Sequence, residues 1–221
     1  MLGTFSPPPV YPILDVDVAR GHGWALPELA ARLAATDCRL LQLRAKQLTA
    51  EAFLNLAVTV QQMLPPSCRL IINDRVDIAV LAAAAGAHVG QDDLPPAAAR
   101  CLLAPEAILG CSTHGVLQVE AARHAPVDYL AIGPVFATAT KQNPDPVVGL
   151  EGVRAARALY RGPLVAIGGI TLENCAAVWE AGADTIALVS GYLKLPDPVA
   201  LVRQFQLAFA AIPRQSKRDR G

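Results

Sequence analysis

The chain has 221 residues, 53% of them hydrophobic, and its formal net charge at pH 7 is zero. A neutral chain is not expected to bind nucleic acid or a membrane surface by bulk electrostatic attraction. No apolar run approaches the ~20 residues of a membrane span, and the N-terminal residues lack the features of a secretory signal. The sequence therefore predicts a cytoplasmic globular protein that acts on small molecules, with a core sufficient for one domain of barrel size.

Short apolar runs alternate with segments of helical period along the chain, and the runs have the continuous apolar character of parallel strands covered on both faces. The predicted strands are residues 12–15, 40–44, 69–73, 87–90, 108–112, 129–132, 163–167 and 185–189. The predicted helices are residues 25–36, 49–63, 76–85, 95–103, 116–125, 152–160, 174–181 and 198–212. Eight strand–helix pairs without a dividing linker predict an α/β fold, a single (β/α)8 TIM barrel over residues 11–212. An open doubly wound sheet is the alternative.

Helix boundary signals and the chain ends complete this outline. Thr49 and Asp197 are predicted N-caps, and Gly86 and Gly182 are predicted C-caps. Residues 1–10 are predicted to be a lead-in, and residues 213–221 a disordered basic tail. The cysteines are odd in number and widely spaced, which favours buried apolar residues over a zinc site or a disulfide framework. They are Cys38, Cys68, Cys101, Cys111 and Cys175.

Polar or glycine-rich residues follow seven of the predicted strands. In a (β/α)8 barrel the active site forms at the C-terminal ends of the strands. Seven such ends on one rim therefore predict a functional site. The residues concerned are Gln42 to Lys46, Asn73 and Asp74, His88 to Asp93, Ser112 to His114, Gly133 to Lys141, Gly168 and Gly169, and Val189 to Gly191.

The residue types on this rim indicate two anionic ligands. Asp74 and Asp93 are hard oxygen ligands that suit Mg²⁺, which commonly binds one or two carboxylates together with substrate phosphates. The side chains of Arg44, Lys46 and Lys141 supply cations for the same phosphates.

Neutral groups and backbone amides complete the predicted rim. Gln42 and Asn73 suit the donor–acceptor edge of a heterocycle. Glycines after the seventh strand and Val189-Ser190 after the eighth occupy the usual phosphate site of such barrels. The rim contains no predicted pair of nucleophile and base.

Each of these residues also has a purely structural interpretation. Asp74 can pair with Arg75 or cap the helix that begins two residues later. Thr138 and Thr140 can be turn-forming hydroxyls, and the cations after the second strand can lie in a solvated loop. His88 reads as a packed or hydrogen-bonded residue at a strand end. Only the joint pattern favours a site.

Five stretches of this sequence resemble the thiamine-phosphate synthase family, in the family's order and spacing. They are Gln42-Leu43-Arg44-Ala45-Lys46, Ile71 to Asp77, His88 to Asp93, Gly133 to Lys141, and Ala166 to Thr171. The resemblance covers about residues 11–209. It implies a transferase of thiamine biosynthesis with the TIM-barrel fold, which joins 4-amino-2-methyl-5-(diphosphooxymethyl)pyrimidine to thiazole phosphate. The products would be thiamine phosphate and pyrophosphate.

The resemblance also implies a role for each matching position. Catalytic roles would belong to Lys141, Ser112 and Arg44, and Mg²⁺ would bind Asp74 and Asp93. The pyrimidine diphosphate would meet Gln42, Leu43, Arg44, Ala45, Lys46, Asn73, Ser112 and Lys141. The thiazole phosphate would meet Thr138, Ala139, Thr140, Gly169, Val189 and Ser190. In the implied mechanism the diphosphate leaves first, and the thiazole nitrogen captures the resulting pyrimidine-methyl cation.

Some positions depart from the family pattern, and other functions stay open. Ala137 stands where proline is frequent, and Gly191 where alanine is frequent. A thiazole tautomerase on the same barrel would carry histidine at the position of Pro134. A non-catalytic paralogue that binds thiazole phosphate would not need the Asp74–Asp93 pair, and an unrelated phosphate-binding barrel would not need the combined motifs. The oligomeric state is not predicted.

Overall fold

The structure is a computed structural model that describes residues 5–138 and 145–212. Its strands are β1 (Val10–Asp15), β2 (Leu40–Arg44), β3 (Arg69–Asn73), β4 (Gly86–Val89), β5 (Ile108–Thr113), β6 (Tyr129–Ile132), β7 (Leu164–Ile167) and β8 (Thr185–Leu188). Its helices are α1 (Val16–Gly21), α2 (Leu26–Ala34), α3 (Ala50–Met63), α4 (Val76–Leu81), α5 (Pro96–Leu102), α6 (Val116–Ala122), α7 (Gly149–Leu159), α8 (Cys175–Glu180), α9 (Ser190–Leu193) and α10 (Pro198–Ala210).

The eight strands form one closed, parallel barrel in chain order. Each strand pairs with the next, and β1 also pairs with β8, with Val10 opposite Ile186. The predicted (β/α)8 barrel is confirmed, and the open sheet is wrong. All C-terminal strand ends therefore meet at one rim, so the polar residues that follow them lie on one face of the molecule.

Strand alternation divides the buried residues into two regions. Successive side chains of a strand point to opposite faces. Leu41 and Leu43 of β2 face the large core between barrel and helices, whereas Leu40 belongs to a smaller cluster that contains Tyr11 and Tyr129. Gln42 and Arg44 share the face of Leu40, and both line the cavity at the rim. The alternation therefore selects which residues of a strand reach the site.

Most boundary signals are confirmed. The Thr49 and Asp197 side chains accept bonds of 3.3 and 3.1 Å from backbone N–H groups in the first turns of α3 and α10. Gly182, with φ of +115°, follows the end of α8 as predicted. The prediction for Gly86 is wrong, because it begins β4, and a Cβ there would lie 1.8 Å from the Ile108 carbonyl oxygen. Tight strand packing, not a helix end, requires this glycine.

Two aspartates repeat one arrangement at the N-terminal ends of the strands. The Asp128 Oδ2 accepts bonds from the Leu109 backbone N–H (2.7 Å) and from Arg100 (2.6 Å). Asp184 accepts in the same way from Arg157 (2.5 Å) and from the first backbone N–H of β7 (2.9 Å). Each carboxylate therefore joins two neighbouring strands to a helix, at the end of the barrel away from the rim.

The cysteines are free thiols. Four are buried as predicted, but Cys101 is exposed because it lies on the outer face of α5, opposite the buried Ala99. No helix of the described residues has the length and apolar character needed to cross a membrane.

Candidate active site

A cavity of about 350 Å³ opens at the C-terminal ends of the strands. Residues of all eight strands line it. The predicted site residues that line it are Gln42, Arg44, Asn73, Ser112, Thr138, Gly169, Val189 and Ser190. Closure of the barrel thus joins residues that are up to 148 positions apart in the sequence (42 to 190).

Other predicted site residues lie elsewhere. Leu43 is fully buried in the core between barrel and helices, and Ala45 packs against the same core. Lys46, Asp74 and Asp93 do not line the cavity itself. Ala139, Thr140 and Lys141 lie outside the described residues, as does the tail 213–221.

Arg44 is held by a carboxylate that the sequence analysis did not single out. Asp15 ends β1 directly opposite Arg44 at the end of β2. The Arg44 guanidinium donates to Asp15 Oδ2, while Asp15 Oδ1 accepts from the Val18 backbone N–H (3.0 Å) at the start of α1. The Asp15 residue is 1% exposed and the Arg44 side chain 23%. The ion pair fixes the guanidinium, which has further N–H donors for a ligand in the cavity.

The signal for Asp15 was present in the sequence. It is the last residue of the first predicted strand, and it is charged in an otherwise apolar run. Together with Arg44 at the next strand end, it satisfied the same rule that identified the other seven strand ends.

A second group of charges surrounds Asp74. Its Oδ2 lies 2.5 Å from Lys46 Nζ. Burial raises the pKa of Asp74, a hydrogen bond with the Asp93 carboxyl raises it further, and Lys46 opposes the shift. Asp93 Oδ2 also accepts from the Gly90 backbone N–H at 2.7 Å. Two carboxylates within hydrogen-bonding reach of each other have a common affinity for protons or for a cation.

The structural alternatives for Asp74 are wrong. Arg75 pairs with Asp77 at 2.5 Å and not with Asp74. The N-cap position of α4 is Arg75 itself, and no side chain caps the helix there. Asp74 adopts a φ of +63°, a conformation that Asn and Asp tolerate better than other side chains do. Neither role therefore accounts for the Asp74 carboxylate, which pairs with Lys46 instead.

The carboxylate pair fits the donor set of Mg²⁺. Over residues 5–138 and 145–212, no group of three or more His, Cys, Asp and Glu side chains is arranged to hold a metal. Magnesium does not need one, since it binds through one or two carboxylates, substrate phosphates and water. Asp74 and Asp93 would supply the protein ligands.

A buried hydrogen-bond chain crosses the barrel interior beneath the rim. Gln42 Nε2 donates to the Tyr11 hydroxyl (3.0 Å), which lies 3.2 Å from the Tyr129 hydroxyl. The Tyr129 hydroxyl lies 2.9 Å from His88 Nδ1, and His88 Nε2 lies 2.8 Å from Ser112 Oγ. Burial lowers the pKa of His88 to about 4 and raises that of both tyrosines. We call these five residues the interior chain.

The interior chain changes two sequence-based expectations. The rim was predicted to lack a pair of nucleophile and base, yet the structure brings Ser112 and His88 into hydrogen-bonding contact. His88, with its pKa near 4, is a weak base at neutral pH. Tyr11 and Tyr129 were not predicted as site residues, because each looks like an ordinary apolar member of a strand.

The opposite side of the cavity is formed by backbone. Gly168 and Gly169 have φ values of +102° and +65°. A Cβ on Gly169 would lie 2.6 Å from the Ala137 carbonyl oxygen, and one on Gly168 would lie 2.6 Å from Pro134 Cβ. The two glycines therefore allow the loop after β6 to lie against β7. His114 Nδ1 lies 2.7 Å from the Gly133 carbonyl oxygen and holds the start of that loop.

A family model, sequence relatives and a solved structure all identify the same family for this chain. The family model described as thiamine monophosphate synthase matches residues 10–192. A thiamine-phosphate synthase of Koribacter versatilis is 48% identical over 191 residues, covering 86% of this chain and 90% of the relative. One from Albidiferax ferrireducens is 42% identical over 200 residues, covering 90% of both chains. The solved thiamine phosphate pyrophosphorylase of Pyrococcus furiosus superposes with a TM-score of 0.80 at 28% identity, covering 91% of this chain and 95% of that one.

Proposed function

We propose how this chain, which belongs to the thiamine monophosphate synthase family and is a transferase that makes thiamine phosphate, holds its substrates. The substrates would be the pyrimidine-methyl diphosphate and thiazole phosphate. The observation that carries the proposal is one cavity that Gln42, Arg44, Ser112 and Gly169 line together. It brings a cation and heterocycle-binding groups to the same space as the glycines that follow β7.

The diphosphate substrate would lie on the side of β2 and β3. Gln42 and Asn73 would bind the pyrimidine ring, since both are buried amides at the cavity wall. Arg44 would contact the diphosphate, because the pair with Asp15 leaves other guanidinium N–H groups available. Lys46 would approach the same phosphates from the rim.

Asp74 and Asp93 would hold Mg²⁺ next to these phosphates. The bound ion would neutralise charge on the departing pyrophosphate. Support comes from the proximity of the two carboxyls: the pKa of Asp74 is raised, by burial and then by Asp93, and a bound cation would favour the ionised form of both. Lys46 lies 2.5 Å from Asp74, so its ammonium is already at this position.

The thiazole phosphate would lie against Thr138, Gly169, Val189 and Ser190. All four residues line the cavity. Ala139 and Thr140 belong to this part of the proposal, and Lys141 to the diphosphate part, through the sequence motif alone.

The reaction needs positioning more than proton transfer. The carbon–oxygen bond to the diphosphate breaks, and its electron pair leaves with pyrophosphate. The thiazole nitrogen then donates its lone pair to the pyrimidine methylene carbon and forms the new bond. Arg44 and Lys46 stabilise the negative charge that develops on the departing pyrophosphate. The cavity wall holds the two rings in the orientation that bond formation needs. The weakly basic His88 suits a site in which no proton has to be abstracted.

The experiment is a product assay with purified protein, both substrates and Mg²⁺. Chromatography should detect thiamine phosphate and equimolar pyrophosphate. Asp93→Ala should reduce the rate at least tenfold at limiting Mg²⁺, because the ion loses one of two carboxylates. Asp92→Ala is the matched control, since it removes the exposed carboxylate next in sequence. Equal loss in both variants would contradict the metal assignment.

The same assay tests the alternatives. Conversion of a thiazole tautomer without thiamine phosphate would overturn the synthase proposal in favour of an isomerase. The buried Pro134 at the cavity wall, where the isomerase would carry histidine, argues against that outcome. In single-turnover experiments, Lys141→Ala should slow pyrophosphate release more than it weakens thiazole binding. Unchanged single-turnover kinetics would remove Lys141 from the proposal.

We also propose a cytoplasmic location, supported by the five free thiols, which suit a reducing compartment.

A further inference from the structure

We infer that His88 is a positioning residue whose Nε2–H fixes Ser112 as a hydrogen-bond donor toward the cavity, and that Tyr129 selects the required tautomer of His88. The inference rests on the proposed function in one respect only, which is that Ser112 contacts the pyrimidine substrate. It concerns residues that the proposed function does not otherwise use, namely His88 and the two tyrosines of the interior chain.

The interior chain has a fixed number of hydrogen-bond donors and acceptors. These numbers determine which atom donates in each hydrogen bond. A tyrosine hydroxyl donates one bond and accepts up to two, and a neutral imidazole donates from one nitrogen only. Gln42 Nε2 donates to the Tyr11 oxygen. The Tyr11 O–H, on a residue that is 1% exposed, must then find an acceptor, and the Tyr129 oxygen lies 3.2 Å away.

The remaining bonds follow from this first assignment. The Tyr129 oxygen accepts from Tyr11, so its own O–H donates to His88 Nδ1 at 2.9 Å. The proton of the neutral imidazole then lies on Nε2, which donates to Ser112 Oγ at 2.8 Å. The Ser112 oxygen is thereby used as an acceptor. Its O–H remains for an acceptor atom in the cavity, which Ser112 lines.

The reverse direction leaves a buried donor unpaired. If Ser112 donated to His88 Nε2, then Nδ1–H would donate to Tyr129, and Tyr129 would donate to Tyr11. The Tyr11 oxygen would accept twice, and its O–H would have no acceptor among the hydrogen bonds of the described residues. A buried polar hydrogen without a partner is costly, so the first direction is favoured.

The fold makes room for this chain. The His88 and Tyr129 rings are stacked, with centroids 5.4 Å apart and an angle of 21° between their planes. On the neighbouring strand, a Cβ on Gly110 would lie 2.1 Å from Tyr129 Cζ and 2.5 Å from His88 Nδ1. Gly110 therefore leaves the space in which the hydroxyl and the imidazole meet. Burial keeps His88 neutral at pH 7, as the chain of bonds requires.

The direction of the chain gives the site a defined recognition pattern. Gln42 has one amide N–H committed to Tyr11, and its carbonyl oxygen remains as an acceptor at the cavity wall. Ser112, at the other end of the chain, presents a donor. An aminopyrimidine offers the complementary pair, an amino donor and ring-nitrogen acceptors. The direction of the bonds in the interior chain would thus set substrate preference through its two end residues, Gln42 and Ser112.

The test is the tautomer of His88, measured by NMR on protein labelled with ¹⁵N in its four histidines. The His88 signals are assigned by their absence from the spectrum of His88→Gln. Between pH 6 and 8, wild-type His88 should carry its proton on Nε2, with Nδ1 in the chemical-shift range of an unprotonated acceptor. A proton on Nδ1 in the wild-type protein would overturn the inference, even if every variant failed to fold.

Two tyrosine variants separate the tautomer effect from loss of a buried hydroxyl. Tyr129→Phe removes the donor to His88 Nδ1, so the Nδ1 signal should move toward the chemical shift of an acceptor nitrogen that has no hydrogen bond. Tyr11→Phe is the matched control, since the Tyr129 O–H can still donate to Nδ1 and the Nδ1 signal should stay at its wild-type position. If Tyr129→Phe leaves the Nδ1 signal unchanged, Tyr129 does not donate to Nδ1 and the inference fails.

Kinetics then connect the tautomer to catalysis. In Tyr129→Phe, kcat/KM for the pyrimidine diphosphate should fall on the order of tenfold, the value of one hydrogen bond, with the KM for thiazole phosphate unchanged. His88→Gln, whose amide N–H can still donate to Ser112, should retain more activity than His88→Leu. Equal activity in these two variants would contradict the positioning role. If the wild-type protein forms no thiamine phosphate, the proposed function fails, while the NMR result still decides the tautomer.

Discussion

The carboxylate of Asp15 should determine how well Arg44 functions. Asp15→Asn keeps the size of the side chain, and its amide oxygen can still accept from the Val18 backbone N–H. The amide nitrogen, however, would face the Arg44 guanidinium with donors instead of an acceptor. The variant therefore removes the anchor of Arg44 while preserving the cap of α1.

The structure sets the size of the effect. Removing one partner from a fully buried ion pair costs roughly 3–5 kcal/mol. The Arg44 side chain is 23% exposed at the open cavity, so it can turn toward solvent and avoid part of that cost. We expect a loss of stability of about 1–3 kcal/mol. A displaced guanidinium should also lose on the order of 10- to 100-fold in kcat/KM, which corresponds to about 1.4–2.7 kcal/mol of transition-state stabilisation.

The assay is steady-state formation of thiamine phosphate with varied pyrimidine diphosphate, together with thermal unfolding. Asp17→Asn is the matched control, because Asp17 is an exposed carboxylate in the first turn of the same helix. Its kcat/KM should stay within twofold of wild type. If Asp15→Asn also keeps wild-type kcat/KM while folding normally, the ion pair does not position Arg44 and the reasoning is refuted.

Three further variants test other parts of the structure. The pKa of Asp74 is raised in the folded state, so the folded state binds the carboxyl proton more tightly than the unfolded state does. The free energy of unfolding therefore falls as pH rises above the ordinary pKa of 3.8. Metal-free Asp74→Asn should accordingly be more stable than wild type at pH 7 but not at pH 3. Mg²⁺ should raise the Tm of wild type more than that of this variant. Gly110→Ala should destabilise strongly, whereas Gly115→Ala, where a Cβ meets nothing within 4 Å, should not. Asp128→Ala should cost about 2 kcal/mol in urea unfolding, because it leaves the Leu109 N–H without its acceptor.

Each variant has an outcome that contradicts its argument. An Asp74→Asn variant that is less stable than the metal-free wild type at pH 7 would show that the ionised Asp74 carboxylate does not destabilise the folded state. Similar unfolding midpoints for the two glycine variants would mean that the interior tolerates a methyl group beside Tyr129. An unchanged midpoint for the Asp128 variant would show that water accepts from the Leu109 N–H and the Arg100 guanidinium in place of the carboxylate.

The strands were predictable because each is a short, almost purely apolar run, and the structure keeps seven of them, β2 to β8, to within one residue at both ends. The helices α1 and α9 were not predicted. They contain six and four residues, too few for a helical period to emerge, and each follows a strand without an intervening loop. Helix α4 was predicted to run too far, because its alanine-rich continuation favours helix until Ala83 turns into a positive φ.

The charged part of the site was predictable for a related reason. Polar residues such as Asn73 and Asp74 interrupt apolar sequence, so they can be recognised from the sequence alone. Tyr11 and Tyr129 were not visible, because they continue apolar strands, and their hydroxyls meet across 118 positions of sequence. Only closure of the barrel brings them together, and no local pattern records which interior residues will face one another.

Strand register explains why this site tolerates little rearrangement. Asp15 lies opposite Arg44, and Asn73 lies opposite His88, in the pairing of neighbouring parallel strands. A shift of β2 by one residue would turn Arg44 toward the helices and bring Leu43 into the cavity. The shift would also leave Asp15 buried without its cation, which the interior does not tolerate. The ion pair at the rim therefore stabilises the register that places Gln42 on the interior chain, so that substrate binding and barrel closure depend on the same contacts.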